Sequence, residues 1–126
     1  ELPQVIEKMM QLLNSRQMHY TVTMNGSSTR IPITEIAYFE SQGHYIVVHY
    51  NEKSLRFKAR MSDIEAALSK CFFVRCHVGY LLNCRFVQIC SRTSVTLTDG
   101  TVLPVSRAKA EETQTAFMAY MRSLRP

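Results

Sequence analysis

The sequence predicts a mostly β domain with one short internal helix and a helix at each end. Two dipeptides that favour tight hairpin turns, Asn25-Gly26 and Asp99-Gly100, each lie between stretches in which apolar and polar residues alternate. Hydrophobic residues make up 46% of the chain and charged residues 20%, which is typical of a folded globular domain. No apolar run approaches the roughly 20 residues of a membrane helix, and no signal-peptide pattern opens the chain.

The N-terminal segment predicts an amphipathic helix over residues 2–18. We interpret residues 1–18 as a linker helix ahead of a domain over residues 19–126, and the alternative is an ordinary helix that packs on the core. Its apolar residues recur at helical spacing: Leu2, Val5, Ile6, Met9, Leu12 and Leu13. Because the first residue is Glu1 and not Met, we expect the chain to be a piece of a longer protein.

The rest of the chain predicts short strands joined by tight turns, with two helices. The strands are expected over residues 19–24, 27–31, 37–40, 45–50, 54–59, 85–89, 94–97 and 101–105. Ser62, with Glu65 three residues later, matches a capping box and predicts a helix that ends near Ser69. A second helix is expected from Ser106 or Arg107 to about Leu124.

The stretch from Phe72 to Asn83 combines core residues with basic ones. Arg75 and His77 lie two residues apart and therefore share one side of a strand, where they suit water, an anion or a base edge. The alternative for Arg75 is a salt bridge with Glu40 or Asp99. Gly79, directly after Val78, indicates a bend in the chain. The apolar residues expected to enter a core here are Phe72, Phe73, Val74, Leu81 and Leu82.

Basic charge is concentrated in the middle of the chain. The net charge is +5, and residues 53–92 alone carry eight Lys or Arg against two Asp or Glu. A concentrated basic field favours a polyanion such as nucleic acid as a partner. A solvated basic face without a partner is the alternative interpretation.

The four cysteines predict neither a metal site nor a disulfide framework, because they include no C-x-x-C pair and no zinc-like spacing. We expect reduced thiols in a cytoplasmic protein. Cys76 and His77 are neighbours on a strand and point to opposite faces, so they make a poor catalytic pair, and we expect no enzyme and no cofactor. Cys76 is either a redox-sensing thiol or, as the sequence favours, a buried inert one.

Several motifs, in this order and spacing, resemble the LytTR DNA-binding domain of bacterial response regulators. The resemblance extends from about Tyr20 to about Phe117. The motifs that carry it are Ile33-Thr34-Glu35-Ile36-Ala37-Tyr38-Phe39-Glu40, Gly43-His44-Tyr45, Ser62-Asp63-Ile64-Glu65, Phe73-Val74-Arg75-Cys76-His77, Tyr80-Leu81-Leu82-Asn83, Leu97-Thr98-Asp99-Gly100 and Leu103-Pro104-Val105-Ser106-Arg107.

The resemblance implies an elongated β-β-β arrangement of three small antiparallel sheets. It also implies that loops, and not a recognition helix, enter successive major grooves on one face of bent double-stranded DNA. Members of the family usually follow a receiver domain and bind direct repeats upstream of regulated genes. A receiver domain on the N-terminal side, direct repeats as the target and a possible homodimer on DNA are therefore expectations for this chain.

The resemblance also assigns site residues. His44 and Arg107 match base-contacting positions, and an arginine can grip guanine O6 and N7 through two parallel hydrogen bonds. The residues expected at the DNA are His44, Tyr45, Lys58, Arg60, His77, Val78, Gly79, Arg107 and Lys109.

Val78 and Gly79 depart from the family pattern, which usually has a basic or amide residue followed by Ser. Both side-chain donors are therefore lost at this position. Val78 can still touch a thymine methyl group, and the Gly79 amide can still meet a phosphate. We expect weaker or differently specific DNA binding, and the alternative function is a protein-interaction module on the same fold.

Overall fold

A computed structural model describes residues 18–124, which form ten strands and two helices. The predicted helix over residues 1–18 lies outside this range except for Met18. The strands are β1 (His19–Met24), β2 (Ser27–Pro32), β3 (Ile36–Gln42), β4 (Tyr45–Tyr50), β5 (Lys53–Lys58), β6 (Phe73–His77), β7 (Tyr80–Asn83), β8 (Val87–Cys90), β9 (Ser94–Leu97) and β10 (Val102–Pro104). The helices are α1 (Met61–Ala67) and α2 (Ala110–Ser123), and single 3-10 turns cover Ile33–Glu35, Cys84–Phe86 and Arg107–Lys109.

The strands form three antiparallel sheets, which confirms the predicted mostly β class. The first sheet is the hairpin β1-β2, the central sheet has the order β5-β4-β3-β7-β6, and the third has the order β10-β9-β8. The first hairpin closes at Asn25 and Gly26, whose φ angles of 52° and 80° are both in the left-handed region. Two such residues match the right-handed twist of the flanking strands, which is why Asn-Gly is favoured there.

The central sheet carries an apolar core on each face. Strand β3 shows why: Phe39 packs into one core, and its neighbour Tyr38 packs against the other, because successive side chains alternate across a strand. The first core also takes residues from the β1-β2 hairpin and from α1. The second also takes residues from the third sheet and from α2. No helix within residues 18–124 is long and apolar enough to span a bilayer.

A buried amide ties the central sheet to the turn that precedes it. The Asn83 side chain is 2% exposed, and its Nδ2 donates to the Ile36 carbonyl at 2.9 Å and to the Ile33 carbonyl at 3.4 Å. Its Oδ1 accepts from the Arg85 amide at 3.0 Å. Asn83 therefore satisfies backbone groups on both sides of the β3-β7 pair.

Three details of the sequence prediction are wrong. Helix α1 begins at Met61 after Arg60 as N-cap, and no side chain caps it, so Ser62 lies inside the first turn and forms no capping box. Burial of Met61, together with Ile64, sets this start. Cys84–Phe86 is a 3-10 turn, so the strand predicted from residue 85 begins at Val87.

The third wrong detail is Phe72, which was expected in the core. Its side chain is 40% exposed, and its φ of 63° places the backbone in the left-handed region. Its ring packs edge-on against Tyr120 of α2, with 5.4 Å between ring centroids. Phe72 therefore lies against the surface of the fold and not within the sheet.

We expect Asn83→Ala to destabilise the domain by about 2 kcal/mol, because it removes three hydrogen bonds of a buried side chain, including the 2.9 Å bond to the carbonyl of the buried residue Ile36. Urea denaturation followed by circular dichroism measures this change. Asn83→Asp is the isosteric comparison, and we expect it to be no more stable than Asn83→Ala because it places carboxylate oxygens against carbonyl oxygens. A loss below about 0.5 kcal/mol would contradict the role given to this amide.

Candidate nucleic-acid interface

Three chain segments meet at one end of the central sheet. They are the β3-β4 turn at Gly43-His44, the β6-β7 turn at Val78-Gly79 and the chain that leaves β5 at Lys58. Antiparallel pairing brings these ends to the same side. The Ser41 amide donates to the Gly79 carbonyl at 2.9 Å and so joins the first two segments directly. We call this end of the molecule the loop edge: residues 41–45, 58–60, 77–80 and 106–109.

The last segment of the loop edge carries Arg107 and lies beside β6. The Ser106 amide donates to the Cys76 carbonyl at 3.0 Å, one residue before the strand ends. Arg107 follows in an exposed 3-10 turn. Lys109 is half-buried, and its Nζ lies 3.5 Å from Glu112 Oε1.

An open groove of about 720 Å³ runs along part of the loop edge. It brings together four of the predicted site residues, His44, Lys58, Arg60 and Val78. The other residues that line it are Ser41, Gly43, Ile46, Ala59, Met61, Ser62, Asp63 and Arg75. The remaining predicted residues (Tyr45, His77, Gly79, Arg107 and Lys109) do not line this groove, although they lie in the same loop edge.

The groove and the neighbouring turn that carries Arg107 are mainly basic. Lys58, Arg60 and Arg107 are exposed, and none of them forms an ion pair with another residue in the range 18–124. Asp63 contributes a carboxylate to the wall of the groove. Gly43, with a φ of 60°, allows the tight turn that presents His44. These positive charges suit an anionic partner.

Tyr45 and Lys58 are cross-strand partners, so their side chains lie on the same face of the sheet. The guanidinium carbon of Arg56 lies 4.1 Å from the centroid of the Tyr45 ring and makes a cation-π contact. Arg56 was not among the predicted site residues. The sequence spacing could have indicated it, because Arg56 lies two residues before Lys58 on the same strand and alternate residues of a strand share a face.

Arg92 was also missed. It is exposed in the turn between β8 and β9, and the carbonyl of the next residue, Thr93, accepts from the Val105 amide at 3.0 Å. Arg92 is therefore close to the segment that carries Arg107. Only the pairing of the third sheet reveals this proximity, since fifteen or so residues separate the two segments in sequence.

Arg75 makes contacts that the sequence did not predict. Its expected partners were Glu40 or Asp99, but its Nη1 donates to Glu65 Oε1 at 3.2 Å and its Nη2 to the Val78 carbonyl at 2.9 Å. Glu40 instead pairs with His49 at 3.0 Å. Arg75 therefore connects α1 to the Val78-Gly79 turn.

His77 is half-buried, and its Nδ1 accepts a hydrogen bond from the Gly79 amide at 3.0 Å. The His77 ring also packs edge-on against Tyr80, with 5.8 Å between ring centroids. Within the turn, then, His77 supports the backbone. Its contact with DNA stays a prediction.

Cys76 has the properties of an inert core residue. Its side chain is 0% exposed, and burial raises the pKa of its thiol to about 12. Its Sγ donates to the Pro104 carbonyl at 3.5 Å. A thiol that stays protonated reacts slowly with oxidants, so this geometry disfavours redox sensing at Cys76.

Comparison with known proteins bears directly on this arrangement. The family profile of the LytTr DNA-binding domain matches residues 26–118, most of the chain. The chain belongs to the LytTR family. The LytTR match spans β2 to α2 and includes every residue of the loop edge.

A solved structure similar to this LytTR domain is the LytTr DNA-binding domain of a response regulator from Bacillus cereus. The two share 20% sequence identity with a TM-score of 0.68, and the match covers 78% of this chain and 94% of the other. At this identity the likeness supports the fold. No curated protein sequence matches the chain.

LytTR domains are DNA-binding domains of transcription regulators, not a family of enzymes. Among residues 18–124, no three His, Cys, Asp or Glu side chains are grouped as a metal ion would need. The loop edge is therefore the candidate interface with nucleic acid in this LytTR domain.

We expect iodoacetamide at pH 8 to label Cys71 and Cys90 in the native protein well before Cys76 and Cys84. The first two are only half-buried, whereas burial raises the thiol pKa of both Cys76 and Cys84 to about 12. Mass spectrometry of peptides at increasing reaction times measures the order, and labelling in urea serves as the control. Early labelling of Cys76 in the native protein would show that its thiol is reactive and would favour the redox-sensor interpretation.

Proposed function

We propose that this LytTR domain binds double-stranded DNA sequence-specifically, as the effector domain of a bacterial regulator of the two-component type. The observation that carries the proposal is the loop edge, where separate turns place His44, Lys58, Arg60 and Val78 in one basic groove with Arg107 on a neighbouring turn. Turns that project from one end of a rigid sheet can enter the grooves of a duplex together, with no recognition helix.

The proposed mechanism separates base readout from phosphate contacts. Arg107 would donate two hydrogen bonds to guanine O6 and N7, and His44 would donate to a base acceptor or a phosphate. The phosphate contacts would come from Lys58, Arg60 and Lys109, helped by the Tyr45 hydroxyl and by Arg56 beside it. Lys109 would exchange its contact with Glu112 for a phosphate.

The wider setting is also a proposal. We infer that a receiver domain precedes this domain and that the target consists of direct repeats. Two copies on such repeats would place their loop edges on the same face of the duplex when the repeats are separated by whole helical turns. A cytoplasmic location fits the reduced cysteines and the DNA partner.

A protein-interaction module on the same fold is the second candidate. The observation that favours it is Val78, an apolar side chain that is 71% exposed where the family usually has a polar one. The two functions differ in their dependence on salt, because binding to DNA releases counterions and weakens steeply as salt rises. Tight binding to a protein with no affinity for duplex DNA would favour this second function.

We expect Arg107→Ala to weaken binding to a selected DNA site by about 10- to 100-fold while non-specific binding changes little, because a bidentate contact to guanine discriminates by roughly 1–3 kcal/mol. Fluorescence anisotropy on a site enriched from a random duplex pool measures both affinities. Arg85→Ala is the matched control, since Arg85 is exposed at the opposite end of β7 from the loop edge. Equal losses for Arg107→Ala and Arg85→Ala would remove the case for base readout by Arg107.

We expect Lys58→Ala to weaken binding to all duplexes by a similar factor, and to reduce the slope of log affinity against log salt by about 1. The physical reason is the loss of one phosphate contact with its released counterion. A salt series at fixed pH, with Lys70→Ala as the control on the segment after α1, measures the slope. An unchanged slope for Lys58→Ala would show that this lysine lies away from the phosphates.

A further inference from the structure

We infer that Val78 reads the C5 methyl group of a thymine in the major groove, and that Arg75 and His77 hold it in position to do so. The inference rests on the proposed DNA-binding function and names the base that one turn of the loop edge recognises. It follows from which groups of the turn are already used within the protein and which one remains free.

Three backbone polar groups of the turn already form hydrogen bonds within the protein. The Val78 carbonyl accepts from Arg75 Nη2 at 2.9 Å, and the Gly79 amide donates to His77 Nδ1 at 3.0 Å. The Gly79 carbonyl accepts from the Ser41 amide at 2.9 Å. A phosphate or base would have to displace one of these bonds to reach any of these three groups, so beyond the Val78 amide the backbone of the turn offers DNA little hydrogen-bonding capacity.

What the turn does offer is the isopropyl group of Val78. It is 71% exposed, more than any other large apolar side chain among residues 18–124. Covering such a group with a partner removes apolar surface from water, which is favourable, and a protruding group on a turn suits insertion into a concave surface. Val78 is thus the one side chain with which this turn can make a specific contact.

The surroundings of Val78 select DNA as that partner. The groove that Val78 lines also contains His44, Lys58 and Arg60. Burying Val78 against an apolar protein surface would bring these cationic groups near that surface and desolvate them, which is costly. In a major groove the same cations meet phosphates, and the C5 methyl of thymine is the apolar group that the base edges present there.

Arg75 is a positioning residue in this scheme. Its side chain is 19% exposed, and the Glu65 carboxylate of α1 fixes the guanidinium that holds the Val78 carbonyl. The turn is therefore set before DNA arrives, with its tip pointing away from the sheet. A fixed apolar tip discriminates between a methyl and a hydrogen better than a mobile one, because less order has to be imposed on binding.

The test removes one methyl group at a time from the DNA. Starting from a site selected by the full chain, each thymine is replaced singly by deoxyuridine, which keeps base pairing and removes only the C5 methyl. We expect a loss of about fourfold in affinity at one thymine per bound domain, the size expected for one apolar carbon losing its contact. In Val78→Ala the same replacement should have little effect, while Val102→Ala, also exposed but on β10, should retain the full loss.

A second variant separates positioning from direct contact. We expect Arg75→Met to reduce the thymine-to-deoxyuridine ratio at that position, because Arg75 acts through the turn. The ratio compares two duplexes bound by the same variant, so the general effect of losing a charge from the groove cancels from it. Glu65→Gln should act in the same direction. Faster hydrogen exchange of the Gly79 amide in Arg75→Met, measured without DNA, would report the loosened turn independently.

Three outcomes would overturn the inference. If no single deoxyuridine weakens binding, or if the loss persists in Val78→Ala, Val78 does not read a thymine methyl although specific DNA binding stands. If the wild-type chain selects no site at all, the proposed function fails and this inference fails with it. The deoxyuridine series and the selection thus give distinguishable failures.

Discussion

The structure depends on β3 being a central strand with apolar side chains on both faces. Phe39 and Tyr38 point to opposite cores, and β4 and β7 pair with β3 on its two sides. Strand β5 pairs with β4 on the far side, and all three pairings are antiparallel. The turn after β3, the turn before β7 and the chain that leaves β5 therefore lie at one end of the sheet. The loop edge is a consequence of this pairing, so the core that stabilises the domain also places the residues of the candidate interface.

The sequence predicted most of the fold because its signals were local. Alternation marked the strands 19–24, 45–50 and 94–97 with correct ends, and Asn25-Gly26 marked the first hairpin. The errors arose where tertiary contacts override local preference. Ser62 has a good capping side chain, but burial of Met61 places the N-cap at Arg60, two residues earlier. Phe72 is as apolar as Phe73, yet only the position of α2 determines that its ring lies at the surface against Tyr120.

Residues of the candidate site could be predicted where a single sequence motif contains them. They could not be predicted where the contact joins two segments that are distant in sequence. His44 and Arg107 could be assigned because the motifs around them resemble a family, and that resemblance is now supported by the family match. The partner of Arg75 could not be assigned from the sequence. Glu65 lies ten residues away on α1, and the sequence gives no reason to prefer it over Glu40. The proximity of Arg92 to the segment that carries Arg107 could not be predicted either, because it results from strand pairing in the third sheet.

The shortness of the turns determines whether the protein or a bound duplex changes shape. Gly43-His44 and Val78-Gly79 are closed directly by paired strands, and the second is also tied by Arg75, His77 and Ser41. Such turns have little conformational entropy left to lose and little freedom to reach further. In the proposed complex, a straight duplex that fails to meet all the turns at once would have to curve toward them, so the mechanical stiffness of the DNA between contacted bases would become part of what this protein recognises.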